Sequence, residues 1–318
     1  MKVKQTELRN FISHDWFSTG HLVIGTDKGD LIIVKDNEVI YSLSSKKPLP
    51  AQALKTFSKG IIVGTDGGLL RIYHWLEYGK EFLSLSKEFS ILDCSLSSIS
   101  GISISPLEDV ALCVTSNQHL YSFQLCNFEI LKEEHHNHFQ PLFINFHGLS
   151  LCSKILSIET CLWKPLLALS SIDRKICIWN YRDKITVVQE NYTDDVLDIS
   201  LHPFGLQILI CFQNSVLLCS IIIERLQPIC EFKGESSCQI CCFSNGGQYF
   251  AIAHDAFVRI YHSYSCEILC HLKGHSSTIC SLHWKDDDHS MCTIGEDGVI
   301  CMWQIPSGKR ISRKGRTT

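Results

Sequence analysis

Polar and apolar positions alternate along this chain in short runs, and the runs recur. One unit consists of a short apolar segment, a turn rich in Gly, Asp and Asn, and a second segment of alternating polarity. It spans Leu22–Lys35 and again Ile61–His74, with later copies at Ala111–Phe123, Leu166–Trp179, Ile208–Cys219, Phe250–Tyr261 and Met291–Trp303. Period-two alternation bounded by turn residues predicts half-buried strands joined as hairpins. The second segments end at Val34, Tyr73, Phe123, Trp179, Cys219, Tyr261 and Trp303, with spacings of 39, 50, 56, 40, 42 and 42 residues. A period of about 40–45 residues is that of a four-stranded propeller blade.

The other strands follow from the same alternation. Ile102–Ser105, Ile155–Cys161, Leu197–His202, Gln239–Phe243 and Ile279–Trp284 precede their hairpins and read as innermost strands. Ile185–Gln189 and Glu267–Leu272 read as fourth strands. A convincing helical stripe at i, i+3, i+4 and i+7 is missing throughout. The expected fold is therefore all-β, a single seven-bladed β-propeller of degenerate WD40-like repeats over residues 1–308. The wide spacings leave an insertion near 126–150, with Glu133–Gly148 as a connection on one rim. Residues 309–318 are basic and polar and read as a tail, a poor outer strand. A propeller must not leave an open sheet edge between its first and last blades. Val3–Leu8 is therefore expected to supply the missing strand and close the ring.

Composition narrows the class. The 318 residues carry 29 Lys+Arg and 33 Asp+Glu, a formal net charge of −4. That balance argues against a dedicated nucleic-acid binder. No apolar run approaches the roughly 20 residues of a spanning helix, so no membrane partner is expected. Met1–Thr6 has two lysines without an apolar run behind them, which predicts no secretory leader. The 17 cysteines sit mostly inside apolar runs, at Cys113, Cys177, Cys211, Cys219, Cys280, Cys292 and Cys301. An odd count in a chain of this size reads as reduced thiols packed as small hydrophobes in an intracellular protein.

The last unit carries the fullest signature. Gly274-His275 precedes its inner strand, Asp297-Gly298 makes the hairpin turn and Met302-Trp303 ends the third strand. This resembles a WD repeat. The resemblance implies a buried hydrogen-bonded network of His275, Thr293, Asp297 and Trp303. The fourth unit keeps Asp173 and Trp179 without the Gly-His pair. The ordered series Ala168–Tyr181, Ile199–Gly205, Cys242–Gly247, Leu272–His275 and Asp297–Trp303, followed by Pro306–Arg310, is similar to one group. It is the second propeller of the cilia- and flagella-associated WD-repeat proteins with tandem propellers and a coiled-coil tail. Gly25–Gly29 also fits that region. The resemblance covers most of residues 15–310. It implies a non-enzymatic scaffold of the motile-cilium axoneme in the cytoskeleton, with axonemal protein partners, helping to place inner dynein arms on doublet microtubules. The chain is shorter than the group, without a full preceding propeller or a coiled coil, as a fragment or a short isoform would be. A cytosolic WD-repeat adaptor presenting partners to a ubiquitin ligase or another enzyme is the alternative.

Candidate chemistry has a plain structural reading at each place. Glu133–His138 has two carboxylates and three imidazoles but no second ligand cluster at metal-binding spacing, and reads as a solvated loop. Cys238, Cys241 and Cys242 fall on a strand, where Cys241 and Cys242 face opposite ways, and read as core thiols. Gly64–Gly68 is followed at once by a strand, not by the helix of a phosphate loop, and reads as a hairpin turn. His275, Ser276, Ser277 and Asp297 have the residue types of a hydrolase triad without a nucleophile elbow. Asp286, Asp287 and Asp288 read as an exposed turn. The basic stretch Gly308–Arg316 could meet an acidic surface, and its plain reading is a solubilising tail. The inner strands carry mostly Ser, Ile, Leu and Cys, with His202 and His283 as the main exceptions. No catalytic residue, cofactor or metal is expected.

Overall fold

The computed structural model describes residues 11–314 apart from 18, 36–37, 46, 77–81, 91–97, 117–119, 126–141, 144–153 and 235. Among the described residues every regular element is a strand, and the strands form seven antiparallel sheets of four. The blades span 11–43, 51–90, 99–143, 155–191, 196–233, 238–273 and 279–314. All seven hairpins read from the sequence are the second and third strands of successive blades.

The first strand of each blade packs against the first strands of its neighbours, around to the pair Phe11–Phe17 and Ile279–Trp284. These seven strands surround the axis. Each carries a bulge in its pairing with the second strand, as between Phe11 and Ser13 or Ile279 and Ser281. A bulge increases local twist and re-aims the side chains that follow it. A second bulge lies beside Val34, Tyr73, Trp179, Cys219, Tyr261 and Trp303, where the third strand meets the outer one.

The core lies between the blades. Every pair of adjacent blades shares an apolar cluster, including the last with the first. There Trp16, Leu22, Ile24 and Val34 pack on Cys292, Ile294 and Ile300. Burying large side chains on both faces of each sheet supplies most of the drive to stack.

Closure differs from the expectation. Lys309–Lys314 forms the outer strand of the seventh blade, paired with Ile300–Gln304. An outer strand borders solvent, so it needs no apolar face, and charge there discourages edge-to-edge association. Among the described residues the ring closes by packing of two complete four-stranded sheets. Val3–Leu8 lies outside the described residues. The segment taken as an insertion supplies Leu142–Phe143, the outer strand of the third blade. The remainder of Glu133–Gly148, with the Glu/His tract, lies outside the described residues.

Candidate functional site

The seventh blade brings His275, Thr293, Asp297 and Trp303 together. His275 Nδ1 is 3.2 Å from Asp297 Oδ1, and His275 Nε2 is 2.7 Å from Thr293 Oγ1. The Trp303 indole N–H donates to the same Thr293 oxygen at 2.9 Å. Asp297 also accepts from the backbone N–H groups of Ser276 (2.9 Å) and Val299 (3.0 Å). Burial raises the pKa of its carboxyl, but these donors and His275 outweigh that and hold it below its usual value. A Cβ on Gly274 would stand 2.9 Å from the Trp303 ring, and one on Gly295 would stand 2.6 Å from both Asp297 and His275. The glycines admit the network sterically.

This geometry is not a hydrolase triad. Both imidazole nitrogens are committed, and the Ser276 hydroxyl bonds Asp297 directly at 3.1 Å. In the fourth blade Asp173 accepts from the Ser171 hydroxyl and pairs with Lys175 at 3.0 Å, while Trp179 is buried. Leu169 stands where the seventh blade has Thr293. The second blade uses another device. Its buried Arg71 donates to Glu88 at 2.9 Å and to Ser45 at 2.8 Å, tying the preceding linker to the outer strand.

Other singled-out residues fall as follows. Gly67 and Gly68, with φ of 89° and 71°, lie between strands Gly60–Thr65 and Leu69–Trp75. Asp286 and Asp287 are exposed in a turn, and the carboxylate of Asp288 accepts from the backbone N–H groups of Asn245 and Gly246 in the preceding blade. Cys238 and Cys241 are buried, but Cys242 lines the central cavity. Cys280 is exposed, although its run is apolar.

The inner strands hold a charged cluster that their sequence did not announce. Asp15 of the first blade accepts from the Thr56 N–H at 2.8 Å and pairs with Lys55 at 3.4 Å, both in the second blade. Its other oxygen lies 3.2 Å from His283 Nδ1 in the seventh. Burial works against its charge, but Lys55, His283 and Thr56 leave its pKa below normal. Glu159 accepts from Leu201 N–H at 2.5 Å, and burial pushes its carboxyl up to about 8. Asp198 accepts from Cys241 N–H at 3.1 Å and is pushed up by burial to about 6. Ser103 accepts from Thr160 N–H, and Ser200 from Phe243 N–H, each at 3.0 Å. The device repeats around the ring. In the second, fourth, fifth and sixth blades the inner edge of the sheet presents N–H groups that a polar side chain of the preceding blade satisfies.

These strands enclose a central cavity of about 370 Å³. Its mouth is formed by the turns between inner and second strands, with Pro106, Leu162 and Pro203 among the lining residues. The same turns interlock. Ser58 N–H donates to Glu108 at 2.8 Å, Trp163 N–H to Pro203 O at 3.0 Å, and His202 Nε2 lies 3.2 Å from Gly247 O. The result is a rigid face around a polar well.

The whole length of this arrangement has relatives. A curated mouse protein, cilia- and flagella-associated protein 57, is 29% identical over 96% of the chain. Two Tetrahymena thermophila proteins, cilia- and flagella-associated protein 57 A and 57 C, are each 24% identical over 95% and 93% of the chain. With seven blades in hand, these matches decide the class. The chain is a WD-repeat propeller similar to the cilia- and flagella-associated proteins. It spans 28% of the mouse protein's length and 23% and 25% of the Tetrahymena ones. Echinoderm microtubule-associated protein-like 4 of Xenopus laevis is 25% identical over half of the chain. No protein-family model matches.

Proposed function

We propose that the chain is a non-enzymatic scaffold of the motile-cilium axoneme, acting through protein contacts on the faces of a rigid propeller. In this reading it sits on doublet microtubules and helps to place inner dynein arms. The observation that carries it is the similarity to proteins named for cilia and flagella across 96% of the chain. The interlocked turns support it physically, because a pre-ordered face binds without the cost of ordering loops. The chain corresponds here to one propeller of a longer architecture, the second of two. Residues 1–308 would then be the propeller body, and the network of His275, Thr293, Asp297 and Trp303, with Asp173 and Trp179, serves the fold alone.

The test is removal of the gene in a ciliated cell, followed by electron tomography of the axonemes. Loss of one class of inner-arm density, restored by the re-expressed protein, is the expected result. Intact inner arms in the null cell would remove the dynein part of the reading.

A further inference from the structure

The face that carries the cavity mouth also carries an apolar patch. Leu107, Leu162, Trp163, Phe204 and Leu206 occupy the equivalent turns of the third, fourth and fifth blades, at 73%, 45%, 68%, 45% and 56% exposure. Trp163 and Phe204 stack with ring centroids 6.1 Å apart and planes 15° from parallel. Exposed large apolar side chains gathered on adjacent loops mark an interaction surface better than scattered ones do. An exposed tryptophan beside a pocket is the residue type that anchors interfaces.

The well beside the patch is unbalanced in charge. Its lining includes the carboxylates of Asp15, Glu108 and Asp286 and the protonated carboxyl of Glu159, against Lys55 and the imidazole of His283. Asp15 takes up Lys55 and His283 itself. Glu159 is met by an N–H and a hydroxyl, from Leu201 and Ser200, and Asp286 is exposed at the mouth. Trp16 lines the same cavity at 6% exposure, and its indole N–H has no acceptor among the described residues. A cation entering this well meets carboxylates in a setting of reduced dielectric, where such contacts are strong.

We propose that this face binds a linear segment of a partner protein through one lysine or arginine side chain that enters the central cavity, beside an apolar residue that packs on Trp163 and Phe204. The inference rests on reading the propeller as a protein-binding platform and is independent of its ciliary placement. The carboxyl of Glu159 faces Asp198, Lys55 and Cys242, and burial holds it protonated up to about pH 8. An entering cation favours its ionised form, so binding releases a proton and strengthens as pH rises from 6 to 8.

The experiment selects a phage-displayed library of random peptides against the folded 318-residue chain, then measures a selected peptide by fluorescence anisotropy. The expected consensus is a Lys or Arg adjacent to Leu, Phe or Trp. Trp163→Ser, and separately Glu159→Gln with Asp286→Asn, each weaken that peptide by on the order of tenfold or more. Leu85→Ser, on an outer strand at 51% exposure, leaves it unchanged. Trp163 is a surface residue, so its variant keeps its fold, and a thermal melt verifies this. No enrichment, an acidic or uncharged consensus, or affinity indifferent to these variants or to pH overturns the proposal. Self-association of the chain abolished by Trp163→Ser would assign the face to a second copy and also overturn it. Normal peptide binding with intact inner arms in null cells would instead fault only the ciliary reading.

Discussion

Asp15 Oδ1 lies 3.2 Å from His283 Nδ1, and this contact joins the first blade of the ring to the last. The same carboxylate takes Lys55 at 3.4 Å and the Thr56 N–H at 2.8 Å, so one side chain links three blades. Asp15 is only 6% exposed on its side chain. Removing one member of a buried ion pair leaves its partners uncompensated and costs about 3 kcal/mol. Asp15→Ala is expected to lose that much in urea denaturation. Asp195→Ala, at an exposed pair with Arg174, is expected to lose less than about 1 kcal/mol. Equal effects would contradict a closing role for Asp15.

The pH dependence has two opposed parts. Glu159 has a folded pKa of about 8, raised by burial from 4.5, so the folded state holds a proton the unfolded chain releases. Stability from this group is therefore present at low pH and falls as pH rises from 4.5 towards 8. Glu159→Gln is expected to raise the melting temperature at pH 8 and to have little effect at pH 4.5. A gain that does not grow with pH would refute the assignment. His14 and His283 work the other way. Burial lowers both, so the fold loses stability as pH falls below 6.5.

Thr293 Oγ1 joins His275 to Trp303. Thr293→Val keeps the shape and removes both bonds, taking the shared oxygen from His275 Nε2 and from the buried Trp303 indole. The expected loss is about 2 kcal/mol, measured by chemical denaturation. Thr293→Ser retains the oxygen and is expected to recover most of it. A Val variant as stable as the parent would mean that the network contributes nothing to the fold.

Two truncations separate two closures. The reading from sequence puts the larger loss on removal of residues 1–7. The pairing of Lys309–Lys314 with Ile300–Gln304 puts it on removal of 309–318. The second truncation is expected to lower the melting temperature by several degrees more than the first. The reverse order would restore the N-terminal closure.

What could be read from the sequence was local. The seven hairpins announced themselves because their buried faces alternate over a few residues. The grouping of His275, Thr293, Asp297 and Trp303 was expected from the resemblance to a WD repeat rather than from the alternation of the strands. The outer strand of the seventh blade escaped notice because one edge faces solvent. Ile311 is 53% exposed in a strand otherwise made of Lys, Arg and Ser. The inner strand of the first blade, Phe11–Phe17, carries His14 where the other six have Leu, Ile or Cys, with Asp15 beside it, and that of the second, Ala51–Phe57, carries Lys55. Their charges broke the pattern by which inner strands were recognised. Glu159 and Asp198 lay within recognised strands, but their role depends on neighbours some forty residues away in the next blade.

The central claim is that this propeller is part of the axoneme. The most direct measurement is quantitative immunoblotting of motile cilia separated into a detergent-soluble fraction and demembranated axonemes. The account requires the chain to remain with the axonemes through detergent extraction. Its recovery in the soluble fraction, or its absence from isolated cilia, would contradict the account.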